Sequence, residues 1–161
     1  MRQVYLETSQ DPIEVETNRR LLDALKDSNA GLLMACGGKG LCATCHVYVD
    51  QGAENLSKIT PREQTTLRMI SGLRSNSRLA CQAKIRRGHV QVSKPGGRYI
   101  TSSTQLDQLV GRRAQQRILH PIDGTVLVEK GKIITRSRIR RLAQLDIDVA
   151  TMRRRSMSLR Y

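Results

Sequence analysis

Aromatic residues are scarce in this chain of 161 residues, which has no tryptophan, no phenylalanine and four tyrosines. Platforms for stacking nucleic-acid bases are therefore few, and no DNA- or RNA-binding motif stands out, so nucleic acid is disfavoured as a partner. Acidic residues are also few, because 14 aspartates and glutamates face 28 lysines and arginines and leave a formal net charge of +14. Such a charge attracts acidic proteins, anionic membranes or nucleic acid.

Long apolar runs are missing as well. No stretch reaches the roughly 18 consecutive apolar residues of a membrane span, and the start, Met-Arg-Gln-Val-Tyr-Leu-Glu, lacks the apolar core of a secretory signal. We expect a soluble, cytoplasmic protein, for which peripheral association with an energy-transducing membrane stays open. Nucleotide-binding loops, flavin-binding patterns and catalytic triads are not found either, so we expect a protein that is not an enzyme.

The positive charge is distributed unevenly. Residues 1–94 carry 14 basic and 9 acidic side chains, a balance of +5, whereas residues 95–161 carry 14 and 5, a balance of +9. The shorter C-terminal part is the more basic one. This asymmetry favours two regions, a small domain over 1–94 and a basic extension over 95–161.

The four cysteines are concentrated, since three of them lie within ten residues in the segment Cys36-Gly-Gly-Lys-Gly-Leu-Cys42-Ala-Thr-Cys45. The fourth is Cys81. A tight loop of three thiolates with one distant thiolate is what a four-cysteine iron–sulfur cluster needs. Glycine reaches positive φ without penalty and lets backbone amides approach the sulfurs. Three glycines of the segment suit this role: Gly37, Gly38 and Gly40.

Other uses of the cysteines fit less well. Structural zinc commonly takes two C-x2-C pairs, or one pair and two histidines, and only Cys42 and Cys45 form such a pair. A disulfide framework is typical of short, cysteine-rich secreted chains, whereas this chain has four cysteines in 161 residues and no secretory signal at its start. A thioredoxin-like pair would leave Cys36 and Cys81 without a role. A Rieske centre needs two histidine ligands, and the three histidines are isolated: His46, His89 and His120. We prefer the all-cysteine cluster, with zinc as the next interpretation.

The pattern C-G-G-x-G-x-C-x-x-C, followed by Arg78-Leu-Ala-Cys81-Gln, resembles the [2Fe–2S] ferredoxins. The gap between Cys36 and Cys42 is one residue longer than the plant-type spacing, which is similar to adrenodoxin-like and bacterial ferredoxin domains. The resemblance covers residues 2–94 and implies a ferredoxin-type domain with the α+β β-grasp fold, a [2Fe–2S] cluster and one-electron transfer. Residues 95–161 resemble no family that we recognise.

Several residues near the cysteines have expected roles. Thr44 is placed to donate its hydroxyl to a cluster sulfur. Lys39 would raise the reduction potential or meet an acidic partner, or lie solvated in the loop. His46 is expected to be a strand residue that points away from the cluster. Apolar residues recur at period two from Leu79 to Ile85, which predicts that Cys81 lies on the inward face of a strand.

Local signals in residues 1–94 predict the order of elements in the β-grasp ferredoxin fold. Asp11-Pro12 is a turn signal between two short apolar stretches and predicts a hairpin. Asn18 is expected to cap a helix that ends near Gly31. Thr60-Pro61-Arg62-Glu63 has the residues of a capping box and begins a second helix.

The extension predicts a helix, a hairpin and a second helix. Ser103 or Thr104 would cap a helix over residues 104–118 with one apolar stripe. Apolar pairs within 126–134 read as a hairpin, and Thr135 caps the last helix. The arginine-rich end, 153–161, reads as a solvated, disordered tail.

Together these features predict a one-electron carrier that docks through basic surfaces to an acidic redox partner. Familiar soluble ferredoxins that feed basic reductases are acidic, so the charge of this chain points away from that usual partner. The alternative is a ferredoxin-like subunit or assembly factor of a larger electron-transfer or photosynthetic complex, anchored by the C-terminal extension.

Overall fold

The computed structural model describes residues 2–7, 9–28 and 31–159. Five strands form the larger sheet: β1 Arg2–Leu6, β2 Ile13–Val15, β3 His46–Gln51, β4 Ser77–Leu79 and β5 His89–Ser93. Their order is β2-β1-β5-β3-β4, in which β1 and β5 are parallel and the other neighbours are antiparallel. The β1–β2 pair is the hairpin predicted around Asp11-Pro12.

Helix α1, Leu21–Asp27, packs on β1 and β2. Its core-facing residues are fully buried: Leu21, Leu22, Ala24 and Leu25. A mixed sheet crossed by one helix confirms the β-grasp class. The predicted cap is wrong, because Arg20 precedes the helix and Asn18 has a φ of 64°. Asparagine tolerates this left-handed conformation, and here it turns the chain so that its amide donates to the carbonyl of Ile85 at 2.7 Å. The helix also ends earlier than Gly31, with Ser28 as its C-cap.

Helix α2, Pro61–Met69, begins as predicted. The hydroxyl of Thr60 accepts a hydrogen bond from the backbone amide of Glu63 at 3.2 Å. The Glu63 carboxylate does not complete a capping box with the helix start; it is buried and bonds to residues of β4.

Cys81 lies in the turn that follows β4, not on a strand as predicted. The amides of Gln82 and Ala83 both bond back to the carbonyl of Leu79, at 3.0 Å each. Residues 79–81 and 83 are all buried, so burial here does not report a strand. The turn carries Cys81 toward Cys45, whose carbonyl accepts from the amide of Ala80 at 3.0 Å.

The extension forms a second, three-stranded sheet and two helices. Its elements are β6 Arg98–Tyr99, a 3₁₀ helix Ser103–Leu109, β7 Ile118–Leu119, β8 Val126–Val128, α3 Arg136–Arg141 and α4 Ala143–Met157. The strand order is β6-β7-β8. A further 3₁₀ helix, Ala53–Asn55, lies in the first region. None of the helices in the described segments combines the length and apolar character that a bilayer crossing demands.

The predicted helix over 104–118 is wrong. Helical structure ends after the 3₁₀ turn, because Gly111 has a φ of 86° and the backbone that follows it hydrogen-bonds to residues 132–134. The amide of Ala114 donates to Lys132 and that of Ile134 donates to Arg112, both at 2.9 Å. Ile118 then enters β7.

The remaining predictions for the extension are partly corrected. The hairpin within 126–134 is wrong, since β8 pairs with β7. Thr135 caps a helix as expected, and its hydroxyl accepts from the amide of Arg138 at 3.3 Å. That helix is α3, which ends at Arg141, so the predicted last helix is divided into α3 and α4. The arginine-rich end is not a disordered tail as far as Leu159, because α4 runs through it to Met157. Residues 160–161 lie outside the described residues.

Two apolar cores result. The first fills the space between the five-stranded sheet and helices α1 and α2. The second belongs mainly to the extension, but it also contains three residues of the cysteine segment: Cys36, Leu41 and Cys42. The extension therefore packs on the segment that carries the cysteines.

Candidate metal centre

The four cysteines predicted as ligands lie together and are buried, with 2%, 1%, 2% and 2% of their surface exposed for Cys36, Cys42, Cys45 and Cys81. All four are free thiols. The sulfurs of Cys45 and Cys81 are 3.3 Å apart, much farther than a disulfide bond of about 2.05 Å. The thiols of Cys36 and Cys42 also hydrogen-bond to each other. The cysteines thus form two pairs, and a two-iron cluster takes two thiolates on each iron.

The two thiols of each pair differ in pKa. A hydrogen bond with the Cys42 thiol, supported by backbone amides, lowers the pKa of Cys36 to about 5. The same hydrogen bond, together with burial, raises the pKa of Cys42. In the second pair, the hydrogen bond between the thiols lowers the pKa of Cys81 and, with burial, raises that of Cys45. One thiolate in each pair is therefore favoured, and thiolate is the form that binds metal.

The glycines give the loop its shape. Gly37, Gly38 and Gly40 have φ values of 71°, 80° and 76°, which L side chains rarely adopt. This backbone directs the amides of Gly38, Lys39 and Leu41 at the Cys36 sulfur. The amide of Gly40 bonds to the Cys81 sulfur. Amides aimed at sulfur stabilise the negative charge of cluster and thiolates, so the loop fits a [2Fe–2S] group. Within the described residues, no three His, Cys, Asp or Glu side chains are grouped to hold a single metal ion.

Two side chains add polar contacts to the sulfurs. The Thr44 hydroxyl is 3.0 Å from the Cys42 sulfur and accepts a hydrogen bond from the amide of Ala35 at 3.2 Å. Its own proton is therefore available to the sulfur. The side-chain amide of Gln82 donates to Cys81 at 3.6 Å, a contact that sequence reasoning missed although Gln82 directly follows the cysteine.

Thr44→Val tests the contribution of the hydroxyl to the redox properties. Valine keeps the shape of threonine but removes the hydroxyl donor. A donor to the sulfur stabilises the more negative, reduced state of the cluster, so its loss disfavours reduction. We expect the reduction potential to fall by on the order of 40 mV, the equivalent of one modest hydrogen bond for a one-electron couple. A redox titration followed by electron paramagnetic resonance measures it.

The matched control is Thr65→Val on α2, where the exposed hydroxyl bonds to the carbonyl of Pro61 at 2.9 Å. That variant should keep the wild-type potential. Equal potentials in wild type, Thr44→Val and the control would show that the hydroxyl does not act on the sulfur.

Polar contacts join the extension to the cysteine loop. The hydroxyl of Ser156 donates to the carbonyl of Cys36, and the ammonium of Lys39 donates to the carbonyl of Leu159. The amide of Ala43 donates to Pro121 at 2.8 Å. Lys39 is thus held by the C-terminal segment. No local sequence signal reveals Ser156, because it reads as one polar residue in an arginine-rich stretch.

A buried ion pair supports the last cysteine. The Glu63 carboxylate accepts hydrogen bonds from the Arg78 guanidinium at 2.8 and 3.1 Å and from the amide of Leu79 at 3.0 Å. Glu63 belongs to α2, whereas Arg78 and Leu79 lie in β4, just before Cys81. The pair therefore fixes the position from which the turn to Cys81 starts. Sequence reasoning missed it, because burial of a charged residue is not visible in a pattern.

His46 has a structural environment. Its Nε2 lies 2.8 Å from the hydroxyl of Ser77, and its ring meets Tyr48 edge-on at 4.9 Å between centroids. Burial, and secondarily the positive charge of Arg74, lowers the pKa of His46 to about 4. The ring is neutral at pH 7 and holds β3 against β4.

The family model described as a 2Fe-2S iron-sulfur cluster binding domain matches residues 4–86. A 2Fe-2S ferredoxin of Buchnera aphidicola is 34% identical over 82 residues, which span 51% of this chain and 74% of that protein. The mitochondrial adrenodoxin homolog of Saccharomyces cerevisiae is 37% identical over 78 residues, 48% of this chain and 45% of that protein.

Solved structures agree with these relatives. The ISC-like [2Fe-2S] ferredoxin of Pseudomonas putida superposes with a TM-score of 0.55 at 27% identity, over 59% of this chain and 93% of that one. A ferredoxin of Rhodopseudomonas palustris gives 0.50 at 26% identity, over 58% and 94%. Residues 87–161 lie outside the family match.

Proposed function

Because the chain belongs to the family of 2Fe-2S iron-sulfur cluster binding domains, which includes ferredoxin and adrenodoxin-like electron carriers, we propose that it is a one-electron carrier that docks through basic surfaces to an acidic redox partner. Its cofactor is a [2Fe–2S] cluster. The observation that carries the proposal is the arrangement of four buried cysteine thiols in two pairs.

We assign the ligands by these pairs, Cys36 with Cys42 and Cys45 with Cys81. When bound, a [2Fe–2S] cluster accepts and returns one electron. The chain supplies what that exchange requires. The glycine-rich backbone donates amides to sulfur, Thr44 donates a hydroxyl, and the covering residues exclude water from the thiolates.

The docking part of the proposal rests on charge. The extension, which we take as residues 95–161 after a ferredoxin-type domain over 1–94, has a balance of +9. Opposite charges steer partners together and set the orientation of docking. Anchoring in a larger electron-transfer or photosynthetic complex stays a prediction. The inner face of the extension lies on the cysteine loop, so any such anchor would use its outer, arginine-rich face.

Electron paramagnetic resonance tests the carrier function. Protein purified without oxygen should be silent when oxidised and gain a rhombic signal on reduction with dithionite. Iron and acid-labile sulfide should be present in equal amounts, because a [2Fe–2S] centre contains both. Zinc without sulfide would overturn the proposal, and so would a centre that dithionite does not reduce.

A further inference from the structure

Helix α4 has opposite charges in its two halves. Asp146 and Asp148 lie in the first half, and three consecutive arginines, Arg153, Arg154 and Arg155, lie near its end. All three arginines are exposed. The helix dipole favours acidic residues near the start of a helix and basic residues near its end, which accounts for this order of charges along α4. It does not account for the place where the basic end lies.

That end lies against the cysteine loop. Four residues of α4 face inward and are buried: Leu145, Val149, Met152 and Ser156. The last of them, Ser156, bonds to the carbonyl of Cys36. Residues 153–155 precede it within one turn of 3.6 residues. The exposed arginines are therefore close in sequence to Ser156, which is hydrogen-bonded to the backbone of the proposed ligand Cys36.

An apolar side chain completes the surface. Met157 follows the contact residue and is 82% exposed. Methionine and arginine are both enriched in protein interfaces, and methionine adapts its shape to a partner. A surface of guanidinium groups around one exposed methionine suits a protein with carboxylates better than it suits a nucleic acid, for which stacking aromatic residues are lacking here.

We propose that the last turn of α4, Arg153 to Met157, is the docking surface for an acidic one-electron redox protein. The inference rests on the proposed carrier function. A partner held there lies beside the Cys36–Cys42 pair, and electron transfer slows steeply with distance. One electron passes between the two proteins, so that one is oxidised and the other is reduced by the same single electron.

The test uses a gold electrode coated with a carboxylate-terminated monolayer as the acidic surface. Cluster-loaded full-length protein is studied by voltammetry at low ionic strength, and the rate of electron transfer is measured. The test variant is Arg154→Glu with Arg155→Glu. The control is Arg136→Glu with Arg140→Glu, two exposed arginines of α3. The control changes charge equally at the opposite end of α4, which is about 22 Å long at 1.5 Å per residue.

We expect the test variant to transfer electrons about tenfold more slowly than wild type, the lower range of electrostatic steering effects. The control should stay within twofold of wild type, and added salt should reduce the difference. Because glutamate opposes the helix dipole, Arg154→Gln with Arg155→Gln is measured as well, and circular dichroism reports the helix content of each variant. The glutamine pair should show a smaller slowing in the same direction.

Equal slowing in test and control variants would mean that net charge alone attracts the protein, and would overturn the assignment of this surface. An unchanged rate in the test variant would overturn it too. The assignment would also be overturned if the protein bound single-stranded DNA more strongly than the acidic surface and the α4 variant, but not the control, lost the DNA binding. Reduction by dithionite in solution does not depend on the docking surface. A protein that fails this reduction lacks the carrier function, whereas one that passes it and fails the electrode test lacks only the proposed docking surface.

Discussion

Cys81→Ala is expected to abolish cluster binding. The change removes one member of the Cys45–Cys81 pair, whose sulfurs are 3.3 Å apart in the core. Alanine offers no donor atom, so one iron would keep a single protein ligand where two are needed. Iron and sulfide in purified protein should fall from two of each per chain to near zero. Metal and sulfide assays measure this directly, and the visible absorption of the cluster should vanish with them.

Gln82→Ala is the matched control for that experiment. Gln82 is the next residue and donates to the Cys81 sulfur at 3.6 Å, but it is not a proposed ligand. The control should keep two irons and two sulfides per chain. A Cys81→Ala protein that still holds the full complement would refute the ligand assignment.

Glu63→Ala is expected to produce a large loss of stability. The Glu63 side chain is 0% exposed and that of Arg78 is 9% exposed. Removing the carboxylate leaves a buried guanidinium without its counter-charge and the Leu79 amide without its acceptor. Breaking a buried ion pair on one side typically costs about 3–5 kcal/mol. Urea unfolding of the cluster-loaded protein, carried out anaerobically, measures the change in the free energy of unfolding.

Two further variants separate the ion pair from general effects of mutation. Glu54→Ala changes an exposed glutamate and should alter stability by no more than about 0.5 kcal/mol. Glu63→Leu with Arg78→Met removes both charges and should recover part of the loss, since only the Leu79 amide then lacks an acceptor. If Glu63→Ala were as stable as Glu54→Ala, the pair would not hold α2 against β4.

The sequence predicted the first region well because its signals are local. The spacing of Cys36, Cys42 and Cys45 is a short pattern typical of the ligands of one cofactor, and Thr60 before Pro61 fits the start of one helix. Where the prediction was wrong, a contact distant in sequence decided the outcome. The residue Asn18 looked like a cap, but its amide bonds to Ile85 in another part of the chain.

The extension was predicted poorly for the same reason. Leu106, Ala114 and Ile118 are spaced as on one helix face and are all buried, but they belong to a 3₁₀ turn, a paired loop and a strand. Local spacing cannot distinguish these cases, because burial depends on packing against other elements. The contact of Ser156 with Cys36 spans 120 positions and leaves no trace in either neighbourhood.

That separation in sequence has a consequence for the order of assembly. During synthesis the N-terminal part of a chain emerges and folds before the C-terminal part. Ser156 and Leu159 are therefore made 120 residues after Cys36 and Lys39, the two loop residues that they contact. We expect cluster insertion to be easier in this interval, in which the loop lacks both contacts. Once α4 has been made, Ser156 joins its C-terminal turn to the backbone of the loop.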